Sequence, residues 1–466
     1  MEDLQIASNH RIAEIPKNFN IEFFFNALKS KCAGTIWFEC QSMVSHNENE
    51  LIYIGFEPLV SIQSNLVGEL NLSYRNKNES FHFEIESFWE KVEECWKGII
   101  PKNQQHPFNG VLGFSSYDSI QLVENISLQK FINEKDFSTL PLFKFSLYRY
   151  LFVFNKNTSK ITLINNFFED ETDDIKNMFE FLNLSEKMLK SFKVSATQNI
   201  DCTDLEFIDM VNQAKYHCQI GNVFQLVVSR KFSREYQGDP WSFFVELKKF
   251  KAQYYFYLDE VDYQITGASP ETHFSSISGT GIVKPIAGTY KKSMNFEQDI
   301  LLEKKLLEDP KENAEHNMLI DLARNDLSKH ANNVAISKLK TIEHYNNVIH
   351  IVSQVQGDLD TEYNPIHLIK EFLPAGTLSG APKYKAIQLI DKIEKSDRSF
   401  YGGLFGWIGF KSDINTCILI RSALFEQNIM TYRAGAGVVI SSDPQKELEE
   451  VNNKIGLILN ALDSFN

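Results

Sequence analysis

The stretch Asp309–Asp326, DPKENAEHNMLIDLARND, sets how the rest of the chain is read. Asp309 is placed to cap a helix, Pro310 fits its first position, and Glu312 stands where a capping-box acid belongs. Glu312, Glu315, Leu319 and Leu322 recur at three- and four-residue spacing. Two acids therefore share a stripe with core leucines, and His316 is expected on the same face. Acids facing inward are costly unless a cation meets them. A second segment repeats the design with Asp443 and Pro444, then Glu447, Glu450 and Lys454. There Leu448, Val451, Ile455 and Ile458 mark the buried face. Two helices each carrying Glu-x-x-Glu fit a hard, oxygen-ligated cation, with Mg²⁺ the usual choice. Two capped, solvated helix surfaces would give the same pattern, and the spacing by itself leaves both readings open.

Outward from these helices the chain is rich in strands. TIWFE, LIYIGF, LVSIQ, FHFEI, GVLGF, LYRYLFVF and ITLIN are short β-branched or aromatic runs within residues 1 to about 165. The acidic run EDETDD (169–174) is predicted to open a helix reaching about 192. The polar stretch SATQNIDCTD (195–204) marks the expected boundary between an N-terminal subdomain (1–195) and a second domain (200–466). Beyond it come a predicted helix (205–220), the strand VFQLVVSRKF (223–232), a helix near 240–250, and strands to about 289. Helices then alternate with GLFGWIGF, TCILIRSALF and IMTYRAGAGVVI. The mixture predicts a large α+β fold, a two-layer antiparallel β-sandwich-like core flanked by helices.

Composition narrows the function classes. In 466 residues, 43% are hydrophobic and 37 are Phe, enough for an extensive core. A net charge of −14 argues against nucleic-acid or anionic-membrane partners. The six cysteines show no CxxC spacing and read as reduced thiols of a cytoplasmic protein. Neither a signal peptide nor an 18-residue apolar span is legible.

Read in order, a long series of segments resembles the chorismate-utilising enzymes, and most closely the anthranilate synthase component I branch. The series runs GNVFQLVVSRKF (221–232), GASPE (267–271), KPIAGT (284–289), KENAEHNMLIDLARNDL (311–327) and NNVIHIVSQVQGDL (346–359). It continues with PAGTLSGAPK (374–383), YGGLFGWIGF (401–410), CILIRSAL (417–424), RAGAGVV (433–439) and ELEEVNNK (447–454). So many ordered matches across residues 205–462 are highly specific; the N-terminal part matches more thinly.

The resemblance implies a substrate, chorismate, with two carboxylates to be held by donors in a closed site. Glu315 and Glu450 match the family's Mg²⁺ ligands, with Glu312 and Glu447 beside them. Arg421 and Tyr401 match residues that hold the enolpyruvyl side. Gly435, Ala436 and Gly437 fit a backbone-amide cradle. Gly288 and Thr289 play a similar part, Lys454 matches a further carboxylate contact, and Lys383 is either a contact or a solvated lysine. Glu271 is the implied general acid at the C4 hydroxyl, and needs a raised pKa. His350 is the implied base at C2, where residues alone would read a core histidine. Thr377 lines the same pocket.

Two positions separate sister reactions. Isochorismate and salicylate synthases carry a lysine base where this chain has Gln225. Aminodeoxychorismate synthases carry a nucleophilic lysine where it has Ala287. Direct amination by ammonia is therefore the expected branch. The alternatives are an aminodeoxychorismate synthase component I and a non-catalytic chorismate-binding relative. The implied partner is a glutamine amidotransferase subunit (component II), since no glutaminase signature is present. The family's inhibitory tryptophan site uses Leu-Leu-Glu-Ser and Pro-Tyr-Met-like segments. These align with Trp37-Phe38-Glu39-Cys40 and Gln253-Tyr254-Tyr255, a degenerate match that predicts weak or absent inhibition.

Overall fold

A computed structural model of the chain describes all residues except 1–3, 45–46, 104–105, 135–137, 186–187, 294, 345–347, 361–363, 412 and 466. The architecture follows from where apolar residues alternate and where they run on. In Gln225–Gly238 the first six residues are all buried, as in a strand covered on both faces. This strand pairs antiparallel with Ile429–Val438, from Leu226 opposite Val438 to Glu235 opposite Ile429. Its first residues also pair with Gly380–Ala381.

One layer of helices packs on this pair. Asp204–Gln219, Lys383–Ile393 and Pro444–Lys454 contribute Phe207, Val211, Leu389, Ile390, Leu448 and Val451 to a core with Leu226, Val228 and Ala436. Local chemistry sets their starts: Thr203 and Glu206 form a reciprocal capping box, and Asp443 accepts from Gln445 and Lys446 ahead of Pro444.

The first third of the chain is interleaved with the rest. Thr35–Val44 pairs with Tyr254–Asp259, and Gly110–Ser115 pairs with Leu404–Gly409, both antiparallel. Between the layers lies an aromatic core in which Phe256 stacks on Phe405 at 4.6 Å between ring centroids. A second aromatic cluster joins Phe24, Phe25, Trp37, Trp241, Phe244 and Tyr257. The mixed, helix-covered antiparallel architecture agrees with the fold expected from the sequence.

The helix expected over 169–192 is not there. Among the described residues that segment holds only the short helix Met178–Phe181. The acids expected to open that helix instead bind backbone and neighbours. Asp173 Oδ1 accepts from Ile175 N–H at 2.9 Å, Glu171 Oε2 from Phe168 N–H at 3.3 Å, and Arg149 pairs with Glu171 at 2.8 Å. Short acidic side chains compete for backbone donors in this way and favour turns over helix interiors.

Candidate active site

The site forms where the strands carrying Gly288 and Gly437 meet the two acid-bearing helices. Pro310–Leu327 starts as its sequence predicts, with Asp309 Oδ1 accepting from Glu312 N–H at 3.2 Å. It can approach the turn Gly376–Ser379 because Gly376 lacks a side chain; a Cβ there would sit 2.2 Å from Leu322 Cδ2. Its two acids are directed at two different glycines. Glu312 Oε2 is 3.2 Å from where a Gly288 Cβ would be, and Glu315 Oε1 is 4.0 Å from the same point on Gly437.

Gly288 adopts φ +67, a conformation that favours glycine, and its carbonyl lies 3.1 Å from His350 Nδ1. A carbonyl can only accept, so Nδ1 carries the proton and the basic lone pair belongs to Nε2. Burial lowers the His350 pKa to about 4, assisted by Arg421 and opposed by the Gly288 hydrogen bond. The ring is therefore neutral near pH 7. Thr289 lies opposite His350 in the sheet, but its side chain falls outside the described residues.

Glu271 sits in the turn after Tyr263–Ser269, its carbonyl accepting from Ile418 N–H at 3.1 Å. Burial raises its pKa to about 7, against opposing pulls from Thr377, Lys454 and Arg421. Thr377 Oγ1 is buried without a well-formed hydrogen bond, so it acts on that carboxyl as a nearby dipole. Arg421, at φ +50, reaches both Glu271 and His350 electrostatically. Tyr401 is buried beside them, its phenol pKa raised by burial against the pull of Lys454 and Arg398.

On the other helix, Lys454 Nζ spans Glu450 at 2.6 Å and the Gly435 carbonyl at 2.9 Å, while Glu447 is buried near the helix start. Residues 435–437 lie within the ladder of Ile429–Val438, and Ala436 points into the helix-side core. The missing side chain at Gly437 makes room for Gln225, whose Nε2 would be 2.6 Å from an added Cβ.

The structure thus gathers Gln225, Glu271, Gly288, Glu312, Glu315, His350, Thr377, Tyr401, Arg421, Gly437 and Lys454 around one locus. Among the described residues no group of three or more His, Cys, Asp or Glu is close enough to hold a metal by itself. The four glutamates of the two helices offer carboxylate oxygens only, a donor type that suits a hard cation.

Two sequence readings need correction. His316 does not join the acid face: it is buried, and its Nε2 bonds Ser353 Oγ at 2.7 Å, which in turn accepts from Lys340 N–H at 2.9 Å. It lies one residue past Glu315, so the helix turns its ring toward the sheet. Lys383 is not a solvated lysine; it pairs with Asp326 at 3.3 Å.

The sequence reading missed a buried support. Arg398 binds Glu394 at 2.6 Å, donates to the Val227 carbonyl at 3.0 Å, and lies 4.6 Å over the Tyr117 ring. Arg433 reaches Glu394 at 3.5 Å and Asp201 at 3.3 Å. The signal was the run Asp397-Arg398-Ser399-Phe400-Tyr401, where charge directly precedes a site tyrosine.

Glu39 and Tyr255, and Cys40 and Tyr254, are opposite each other across paired strands. Glu39 is buried and paired with Lys248 at 2.9 Å and with Lys156. Tyr254 Oη bonds Thr272 at 2.7 Å, Gln253 reaches the same hydroxyl at 3.3 Å, and Tyr255 Oη donates to Phe250 O at 2.7 Å. Among the described residues no helix is long and apolar enough to cross a membrane.

This fold and site define a chorismate-handling protein. The chain matches the family model for chorismate binding enzymes over residues 44–460 and belongs to that family. Among its relatives, anthranilate synthase component 1 of Aquifex aeolicus is 32% identical over 410 residues, covering 82% of this chain and 80% of that protein. The Bacillus subtilis protein of the same name is 33% identical, covering 76% and 73%. The crystal structure of anthranilate synthase component I from Streptococcus pneumoniae superposes with a TM-score of 0.75 at 29% identity, covering 88% and 92%. The menaquinone-specific isochorismate synthase of Escherichia coli shares the fold, with a TM-score of 0.74 at 16% identity over 99% and 96%.

Proposed function

We propose that this chain is the large component of an anthranilate synthase, converting chorismate to anthranilate at the head of tryptophan biosynthesis. The observation that carries the reading is one pocket holding a carboxyl with a pKa near 7 and a neutral imidazole of fixed tautomer. Ammonia adds at C2 of the ring, and the C4 hydroxyl leaves as water with the proton that Glu271 supplies. His350 Nε2 then removes the C2 proton. The released electron pair aromatises the ring as the C3–O bond breaks, and the side chain leaves as the enolate of pyruvate, which takes a proton at its methylene carbon to become pyruvate.

Gln225 cannot take a proton from water, and Ala287 has no nucleophile, so neither hydration nor a covalent lysine adduct competes. Arg421, Tyr401 and Lys454 are the groups for the substrate's carboxylates. Glu312, Glu315, Glu447 and Glu450 would hold Mg²⁺, which when bound neutralises charge between these acids and the substrate's ring carboxylate. The component naming of the relatives supports a partner, and we assign it as a glutamine amidotransferase subunit that supplies ammonia. Six cysteines outside any disulfide fit a cytoplasmic setting.

The test is incubation of the purified chain with chorismate, Mg²⁺ and ammonium, followed by product identification. Anthranilate is expected, and only with metal and a nitrogen source. Isochorismate or 4-amino-4-deoxychorismate as the main product overturns the assignment.

A further inference from the structure

Behind the loop that carries Tyr401 lies a second polar cavity, of about 230 Å³, which the proposed reaction does not use. Ser116, Asp118, Leu142, Asp397 and Ser399 are among its walls. Asp118 is buried and its Oδ2 accepts from Ser399 N–H at 2.9 Å. Burial and the neighbouring Asp397 carboxylate both hold the Asp118 pKa well above the usual range, so two acids bear on one small space. Lys231 approaches Asp397 Oδ1 at 3.5 Å and offsets one charge. Arg398 and Arg433, the other nearby cations, are engaged with Glu394 and Asp201.

A separate observation points the same way. Ser116 is buried, lines this cavity, and its Oγ has no hydrogen-bond partner. A buried hydroxyl without a partner is costly, and native structures normally satisfy it. Water alone would satisfy the hydroxyl but would leave the two carboxylates repelling each other. An oxygen-only donor set with net negative charge and irregular spacing matches Ca²⁺, which accepts six to eight oxygens in flexible geometry.

We propose that this cavity is a binding site for a hard cation of the Ca²⁺ type, held by Asp118, Asp397 and Ser116 Oγ. It is separate from the acid helices and shares no ligand with them. Its position gives it a structural task. Ser399 and Gly402 take φ +52 and +87, Ser399 O accepts from Tyr117 N–H at 2.9 Å, and Arg398 lies between the Tyr117 and Tyr401 rings at 4.6 and 5.9 Å. A cation joining Asp118 to Asp397 ties down the start of this loop and so keeps Tyr401 in place.

Calorimetric titration of Ca²⁺ into the full chain, in excess Mg²⁺, tests the site alongside Asp118→Asn, Asp397→Asn and Glu315→Gln. Asparagine at 118 keeps an acceptor for Ser399 N–H, so the loop anchor survives while the charge is lost. One Ca²⁺ per chain is expected in the wild type and in Glu315→Gln. Affinity should fall at least tenfold in each Asp variant, and Ca²⁺ should raise Tm in the wild type and in Glu315→Gln but not in the Asp variants. Should Asp118→Asn fail to fold, Asp397→Asn decides alone. No Ca²⁺ binding above the Mg²⁺ background, or equal binding by the Asp variants, overturns the proposal.

Discussion

At the scale of single residues, Glu271 makes a pH prediction with a definite sign. Burial lifts its pKa from the model-compound value of 4.5 to about 7. The acid form needed at C4 is therefore present below pH 7 and is lost tenfold per pH unit above it, so ammonia-dependent turnover, corrected for free ammonia, should fall on that limb. Stability follows the same sign: the contribution of the protonated form is full below about 4.5 and is lost as pH rises to about 7. Glu271→Gln should then cost roughly 10²–10⁴-fold in turnover yet raise Tm at pH 8. Unchanged turnover, or a Tm lower than wild type at pH 8, removes Glu271 from the acid role. His350→Ala should separate the half-reactions, leaving slow anthranilate formation and an accumulating amino-deoxyisochorismate. If anthranilate output is normal and chromatography finds no intermediate, His350 is only a core histidine. From residues alone His350 read as a core histidine, and His316 as a member of the acid-bearing helix face. What separates them is the partner, Gly288 O in one case and Ser353 Oγ in the other. Both partners are distant in sequence, so only the family resemblance could choose between them.

At the scale of elements, the acid helices were legible because their signals are local. Asp309-Pro310 and Asp443-Pro444 fix the starts, and three- and four-residue spacing fixes the faces. The segment 169–192 was misread because its acids had local uses that a count of charges does not reveal. The pairing of Glu312 with Gly288 and of Glu315 with Gly437 also lay beyond the sequence, since strand register brought them together. The helices carry a common prediction. Replacing Glu315 or Glu450 by Gln keeps size but removes charge, so turnover at ordinary Mg²⁺ should drop at least 100-fold, in keeping with losses at metal-holding positions. Circular dichroism should show an intact fold. Because no three-acid group stands ready among the described residues, Mg²⁺ affinity in the wild type should rise when chorismate is present. Wild-type rates and metal dependence in both variants would falsify the metal assignment.

At the scale of the whole molecule, the polar stretch 195–204 gives no hint that strands on either side of it pair with each other. Thr35–Val44 meets Tyr254–Asp259 across more than two hundred residues, a contact that no local pattern encodes. That pairing sets the surroundings of the segments that align with the family's tryptophan site. The sequence showed that Cys40 replaces a serine and that Gln253 replaces a proline; it did not show what Glu39 does. In the structure Glu39 is buried, and burial alone would raise its pKa, but Lys248 and Lys156 hold it below the usual range. Lys248 also lies 4.3 Å over the Trp37 ring, so its ammonium is bound by both a carboxylate and an aromatic face. The acid that would receive the ammonium of an inhibitory amino acid is therefore already neutralised from within the fold. Phe38 does not fill that space, as it packs against Tyr254 and Phe405 in the interlayer core. An effector would have to displace Lys248, and each buried polar group left unpaired costs about 1–3 kcal/mol, or roughly one to two decades of affinity. Tryptophan titrated against ammonia-dependent activity should leave the rate unchanged through the micromolar range. Lys248→Ala frees one oxygen of Glu39 and should be the more sensitive of the two proteins. Micromolar inhibition of the wild type would mean that the two lysines yield to the ligand and that the site still regulates.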